Sequence, residues 1–407
     1  MSIGETPAAS AVQAPAPITG VELAGATAGL KASGRPDVAL VRLAPGSRTA
    51  AVFTRNAFCA APVLLARAHL GASDPRLLLI NSGCANAGTG AAGDRDAQAS
   101  CEHAASVVGV SAHAVLPFST GVIGQRLDLD RLYAGIDTAA GALSEHGWAA
   151  AAEAILTTDT VAKMASSRVA LAGGEVTITG MAKGSGMIRP NMATMLGFVA
   201  TDAQLDGEAV DALLRAAVAR SFHCITVDGD TSTNDAVTLS ATGASGVGAV
   251  GADEHERLGE AITAVCIELA QAIVRDAEGA TRFAEIVVEG GRDEAECREV
   301  AFTVAQSPLV KTALFGGDPN WGRILAAIGR AGLADLDIAG VDIALGDLPI
   351  VAGGQPRADY DEARAAGIMQ RDEVRIGIAL GRGAAATRVW TSDLSYDYVR
   401  INADYRT

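Results

Sequence analysis

The chain has 407 residues, enough for one large domain or two ordinary ones with a substantial core. Nearly half the residues are apolar but only 4% are aromatic, so the core must close on small side chains, and 46 glycines imply many tight turns and close backbone approaches. The formal charge of −15 argues against nucleic acid and anionic membrane surfaces, which need basic patches.

Residues 1–17 are rich in Ala, Pro and Ser and lack the cationic start and apolar stretch of a signal peptide, so a disordered tail is expected there. No window of about twenty apolar residues suggests a membrane span. Val38–Val41 and Ala50–Phe53 are short strand candidates. Leu77–Ile80 reads as a buried strand opening into a loop at Asn81-Ser82-Gly83. An Ala-rich helix is expected over about Asp94–Val108, and Val115–Phe118 reads as a strand ending at a Ser119-Thr120-Gly121 turn. Met195–Ala200 looks like a buried strand. Two amphipathic helices follow, one carrying Val210, Leu213, Leu214, Ala217 and Val218, the other Ile262, Cys266, Leu269 and Ile273. Ile286–Val288 is a strand, and Val374–Leu380 is expected to pair as a hairpin with Thr387–Trp390 across a Gly-Arg-Gly turn. Mixed strands and helices indicate an α/β or α+β layered fold.

The six cysteines, Cys59, Cys84, Cys101, Cys224, Cys266 and Cys297, form no CxxC pair and read as reduced thiols of a cytoplasmic protein. The histidines show no zinc-binding spacing, so no metal site is expected.

Several segments carry chemical content. Thr120-Gly121 at a strand end could expose N–H groups to a developing oxyanion, or be an ordinary turn. Lys183-Gly-Ser-Gly lacks the spacing of a phosphate loop; its lysine could hold a carboxylate or be a solvated loop residue. Asp228-Gly-Asp-Thr-Ser-Thr-Asn-Asp235 fails the calcium-loop register, with Thr233 where Gly and Leu239 where Glu would stand, and reads as a polar turn lining or bracing a site. Glu278, beside Gly279 after a helix, could serve as acid, base or amine clamp, or lie in a solvated helix end. Thr194 sits between a Gly- and Pro-containing loop and the Met195 strand. A threonine is a poor nucleophile without an adjoining base, and one solution is for it to become a chain N-terminus.

Taken together, Thr120-Gly121, Leu156-Thr-Thr-Asp159, Met181-Ala-Lys-Gly-Ser-Gly-Met187, Met192-Ala-Thr-Met-Leu196, Asp228–Asp235, Asp276-Ala-Glu-Gly279, Ser307–Ala313, Gly317–Arg323 and Tyr398–Thr407 closely resemble, in this order, the ornithine acetyltransferase family of arginine biosynthesis. The resemblance runs from about Ile18 to Thr407. It implies an α/β fold, a layered αββα-type sandwich of the self-processed, N-terminal-nucleophile kind. It further implies cleavage of Ala193–Thr194 into fragments 18–193 and 194–407 that share one core, and an α2β2 assembly. Thr194 matches the family's nucleophile, Thr120 and Gly121 its oxyanion pair, and Thr157, Lys183, Thr194, Glu278, Asn402 and Thr407 its substrate contacts.

The activity so implied is double displacement. Thr194 takes acetyl from N2-acetylornithine, ornithine leaves, and glutamate accepts the acetyl as N-acetylglutamate. No bound cofactor is required; the sequence leaves open whether acetyl-CoA also serves as a donor. Two other readings compete: a self-processed aminopeptidase or amidohydrolase passing an acyl group to water, and a non-catalytic binding protein with a dead site, which the full set of matching residues disfavours.

Overall fold

The computed structural model describes residues 15–189 and 195–404. They form two compact units. The larger runs through residue 223 and again over 230–273; the smaller takes 224–229 and the described chain from 274 onward. None of these boundaries falls at residue 194.

In chain order the larger unit begins with β1 (Val21–Ala26), β2 (Val38–Leu43), β3 (Arg48–Phe53), α1 (Ala61–Ala72), β4 (Leu77–Cys84), α2 (Gly90–Val108), β5 (Val115–Val122), α3 (Leu129–Ala140) and α4 (Trp148–Ala154). It continues with β6 (Lys163–Leu171), β7 (Gly174–Lys183), β8 (Leu196–Thr201) and α5 (Gly207–Arg220). After the short β9 (Ile225–Thr226), which belongs to the smaller unit, come β10 (Ala236–Ala241) and α6 (Gly251–Arg275).

These strands make two sheets, ordered β1-β2-β4-β5 and β3-β10-β8-β7-β6. β4 shows why its sequence is apolar without alternation. Leu77 and Leu79 pack with Cys101, Ala104, Leu132 and Ile136 of α2 and α3, while Leu78 and Ile80 join a core reaching Leu196, Phe198 and Ala200 of β8. A strand covered on both faces needs apolar residues at every position. Phe118 of β5 meets Phe198 edge to face, with ring centroids 5.1 Å apart. α5 packs on β3 and β10, and Gly180 of β7 leaves room for Leu269 of α6, which a Cβ there would approach to 2.9 Å. The layers therefore run helix, sheet, sheet, helix. β7 and β8, from opposite sides of residue 194, are antiparallel neighbours with Lys183 opposite Leu196.

Of the stretch expected to be a tail, residues 1–14 lie outside the described residues. Ala16 is already engaged: its N–H donates to Ser166 Oγ at 3.0 Å and its carbonyl accepts from Thr179 Oγ1 at 2.8 Å.

The smaller unit adds β11 (Phe283–Gly291), α7 (Glu294–Ala305), α8 (Pro308–Gly316), α9 (Trp321–Gly329), β12 (Asp342–Leu345), β13 (Leu348–Ala352), β14 (Gln355–Pro356), α10 (Glu362–Met369), β15 (Glu373–Ala379), β16 (Ala385–Ser392) and α11 (Tyr396–Asp404). Its single sheet has the order β14-β13-β12-β15-β11-β16-β9, and Ile286, Val288, Ile376, Ile378 and Val389 pack on one core with residues of α7 to α10. The expected hairpin between β15 and β16 does not form. β11 lies between them, parallel to β15 and antiparallel to β16. The Gly-Arg-Gly segment arches over the end of β11 instead, with Arg382 and Gly383 N–H groups donating to the Gly290 carbonyl at 2.7 and 2.8 Å. A Cβ on Gly383 would come within 2.3 Å of Gly291 O, so the glycine serves this crossing and not a tight hairpin turn. Among the described residues, no helix is long and apolar enough to cross a membrane.

Candidate active site

In the larger unit, the ends of β4, β5 and β7 come together with the segment after α4. The expected turn at Ser119-Thr120-Gly121 is not one. β5 continues to Val122, with Thr120 opposite Ser82 and Gly121 opposite Gly83, and β4 likewise runs through the expected loop at Asn81-Ser82-Gly83 to Cys84. Both strands can carry polar side chains inward because those side chains satisfy one another. Ser119 Oγ donates to Asn81 Oδ1 at 2.5 Å, Asn81 Nδ2 donates to the Cys84 carbonyl at 2.8 Å, and Asn234 Nδ2 reaches the carbonyls of Ala85 at 2.7 Å and Ser119 at 2.9 Å.

The register slips at Gly83/Cys84, beside Gly121. Gly121 has φ +128°, and a Cβ on it would lie 2.4 Å from Gly83 C and 2.7 Å from Cys84 N. No side chain fits without parting the strands. Gly121→Ala is therefore expected to lower stability by about 1–3 kcal/mol, measured as a lowered urea midpoint, and to displace the Thr120 hydroxyl.

Lys183 is not in the glycine loop. It ends β7, is 3% exposed, and its Nζ donates to Thr120 Oγ1 at 3.3 Å. Its charge faces Asp159, with Lys183 Nζ 3.9 Å from Oδ2. Asp159 is the hub that the sequence reading quoted without giving it a role. Oδ1 accepts from Lys163 Nζ at 2.7 Å and from the Gly184 N–H at 2.7 Å, and Oδ2 accepts from the Thr157 N–H at 3.0 Å. Burial alone would raise this carboxyl, but Lys183, Lys163 and the Gly184 N–H outweigh it and hold Asp159 well below the usual carboxylate range. Thr158 Oγ1 adds a bond to Ser185 Oγ at 2.7 Å. Three residues far apart in sequence, Thr120, Thr157 and Lys183, are thus joined through one buried carboxylate. The only sequence signal for that hub was an aspartate four residues ahead of a lysine, in a segment with no charge alternation to explain it.

Lys31 braces the same strands. Its Nζ donates to the carbonyls of Pro36 at 2.6 Å and Ala154 at 3.3 Å, and burial pulls its ammonium down to about 8 against the opposing pull of Asp37. Ser82 Oγ also donates to the Ala154 carbonyl, at 2.5 Å. The chain leading from α4 to Thr157 is thereby tied to β4.

Ala193 and Thr194 lie outside the described residues, as does Thr407. Met195, the residue after Thr194, is fixed. Its N–H donates to Asp235 Oδ1 at 2.9 Å and its carbonyl accepts from the Ala236 N–H at 3.2 Å. The polar segment ending at Asp235 therefore braces the start of β8, as one of its two sequence readings had it.

In the smaller unit, Glu278 and Asn402 meet. Asn402 Nδ2 donates to Glu278 Oε2 at 2.8 Å and to the Tyr398 carbonyl at 3.0 Å. Gly279 makes this docking of α11 feasible: it has φ +66°, a Cβ on it would meet Tyr398 N at 2.5 Å, and its carbonyl accepts from Ser395 Oγ at 2.6 Å. Tyr398 is held in turn by its hydroxyl on Asp228 Oδ2 at 3.2 Å. The half-buried Glu278 presents a carboxylate oriented by an amide, an arrangement suited to an ammonium group.

A family model described as the ArgJ family matches residues 22–407. The chain is 56% identical over 393 residues to the arginine biosynthesis bifunctional protein ArgJ of Methylococcus capsulatus, covering 96% of each chain. It is 49% identical over 394 residues to the protein of that name from Pseudomonas fluorescens, covering 96% of this chain and 97% of that one. Among solved structures, the arginine biosynthesis bifunctional protein ArgJ of Bacillus halodurans is 38% identical with a TM-score of 0.48, covering 50% of this chain and 96% of that one. An ornithine acetyltransferase of Mycobacterium tuberculosis complexed with ornithine is 39% identical with a TM-score of 0.39, covering 43% and 93%. The chain belongs to the ArgJ family.

Proposed function

We propose that this chain is an acetyltransferase of arginine biosynthesis that cuts itself between Ala193 and Thr194 and then carries acetyl on Thr194 from N2-acetylornithine to glutamate. The observation that carries this reading is the buried linkage of Thr120, Thr157 and Lys183 through Asp159, in the same sheets whose strand β8 begins two residues after Thr194. The names of the relatives support the pathway, and the ornithine complex of one of them supports the donor class.

Maturation begins when the Thr194 hydroxyl attacks the Ala193 carbonyl. The Thr120–Gly121 strand end stabilises the oxyanion, with the Thr120 hydroxyl oriented by Lys183. The nitrogen-to-oxygen shift gives an ester, and water frees the Thr194 amine. An α-amine has a pKa of about 7.7–8.0, so a useful neutral fraction exists near pH 7 and nucleophile and base reside in one residue. In turnover Thr194 becomes an acetyl ester, ornithine departs, and glutamate attacks. Acetyl stays on the protein, so this cycle uses no cofactor. Lys183 is the counter-charge for a substrate carboxylate, and Glu278 with Asn402 for the ornithine ammonium, Thr157 and Thr407 completing the contacts. Fragments 18–193 and 194–407 would stay together because β7 and β8 pair across the cut. Two such pairs would form the α2β2 unit, in the cytoplasm.

The test is acetyl transfer from N2-acetylornithine to glutamate, run beside acetyl-CoA as donor, which the word bifunctional in the relatives' names makes the second donor to examine. Water as the main acceptor would overturn transfer in favour of hydrolysis. Glu278→Gln should raise the KM for N2-acetylornithine roughly tenfold or more, the scale of a lost hydrogen bond to a charged group, while leaving self-cleavage intact on a denaturing gel.

A further inference from the structure

Lys311, in the Ser307–Ala313 motif, has no part in the chemistry above. It lies on α8 and is 3% exposed. A buried ammonium is tolerated only where its hydrogen bonds are met. Lys311 Nζ donates to Thr391 Oγ1 at 3.0 Å and to the Ser392 carbonyl, and the Lys311 carbonyl accepts from the Leu394 N–H at 3.2 Å. The segment leading from the end of β16 into α11 is thereby fixed on α8.

That segment grips both halves of the Glu278–Asn402 pair. Asp393 is 4% exposed, and its Oδ1 accepts from the Thr281 N–H at 2.8 Å and the Arg282 N–H at 3.0 Å. Its Oδ2 accepts from Thr281 Oγ1 at 2.6 Å, and its own N–H donates to the Arg282 carbonyl at 3.2 Å. These bonds hold the backbone just after Glu278. Ser395 reaches the other half: its Oγ donates to the Gly279 carbonyl at 2.6 Å and accepts from the Tyr398 N–H at 3.3 Å, in the manner of a helix cap. Tyr398 lies one turn before Asn402, and its carbonyl accepts from Asn402 Nδ2. Glu278 and Asn402 stand 124 residues apart in the chain, so their spacing is set by this segment and not by local chain geometry.

We propose that Asp393 and Ser395 are positioning residues for the ornithine ammonium: they hold the Glu278 carboxylate and the Asn402 amide together, so that the clamp is already formed when N2-acetylornithine binds. This inference rests on reading Glu278 with Asn402 as the ammonium clamp. A clamp formed in advance spares the substrate the ordering of its own site. Glutamate carries no side-chain ammonium, so the arrangement serves the donor half of the reaction and not the acceptor half.

The experiment measures kcat/KM for N2-acetylornithine and for glutamate in full-length wild type, Asp393→Ala, Ser395→Ala and Glu278→Gln, and in each of the first two variants combined with Glu278→Gln. A thermal melt accompanies each. In double displacement the half-reactions are separate, so each kcat/KM reports on its own substrate. The donor value should fall about tenfold in Asp393→Ala, no further than in Glu278→Gln, and about fivefold in Ser395→Ala, the scale of the hydrogen bonds lost. The value for glutamate should be spared. Added to Glu278→Gln, either change should lower the donor value by less than about twofold more, since the pair it positions is already broken. Asp393→Asn keeps the acceptor for both N–H groups and should recover most of what Asp393→Ala loses. Effects that multiply in the double variants, or a fall shared equally by both substrates, overturn the proposal. An unchanged donor value in Asp393→Ala and Ser395→Ala, beside a lowered one in Glu278→Gln, overturns it while leaving the clamp standing. If Asp393→Ala does not fold, Ser395→Ala, which deletes a single hydroxyl, decides alone. No loss in Glu278→Gln itself overturns the clamp, and the proposal with it.

Discussion

Thr194→Ala is expected to leave one undivided chain of 407 residues and to abolish acetyl transfer. A nucleophile that also supplies its own base cannot be replaced by a neighbour, and losing such a group typically costs about 10³-fold or more in kcat. The variant should nevertheless fold. The strand after it is held by bonds that do not involve residue 194: Met195 to Asp235 and Ala236, and β8 to β7 and β10 along their lengths. A denaturing gel and a circular dichroism melt of the same preparation check both halves of this expectation. Thr194→Ser, which restores a hydroxyl and an α-amine, should regain division of the chain and part of the turnover.

The second large effect is on stability. Asp159→Ala would remove a counter-charge that Lys163 and Lys183 share, both of them buried, with side chains 1% and 3% exposed. Breaking a buried pair by deleting one partner costs about 3–5 kcal/mol, because the remaining charge is uncompensated. Urea titration at neutral pH should register a loss on that scale. The pH dependence has a definite sign. The folded-state pKa of Asp159 lies below its unfolded value of about 3.9, so its contribution is complete above that value and is lost as pH falls toward the folded pKa. Wild-type stability should therefore fall below about pH 4, and Asp159→Asn, already weaker at neutral pH, should show a shallower acid limb.

Much of the fold was legible because local composition reports burial directly. The unbroken apolar run of β4 announced a strand covered on both faces, and the three- and four-residue spacing of Val210, Leu214, Ala217 and Val218 announced α5. Pairing partners were not legible in the same way. Val374–Leu380 and Thr387–Trp390 have the composition and spacing of a hairpin, yet β11, almost a hundred residues earlier in the chain, lies between them; such a long-range choice leaves no mark on the turn sequence.

The site divides along the same line. The larger unit brings together Thr120, Thr157 and Lys183, and the smaller unit brings together Glu278 and Asn402, all of them named from sequence. Reading Ser119-Thr120-Gly121 as a turn was natural, since polar residues next to glycine usually leave the core. They remain in β5 because Asn81 of β4 and Asn234 of the segment before β10 satisfy Ser119, and Lys183 of β7 donates to Thr120. Asp159 and Asp235 were hidden for a related reason. A buried carboxylate is recognised by what surrounds it, and its partners here lie as many as 40 residues away.

Intact mass measurement of the purified chain, before and after incubation with N2-acetylornithine in the absence of glutamate, tests the central claim most directly. The expected result is two fragments, the second beginning at Thr194, with that fragment alone gaining the mass of one acetyl group and losing it again when glutamate is added. A single undivided chain, or acetyl transfer that proceeds with no acetyl ever appearing on the fragment that begins at Thr194, would contradict the account.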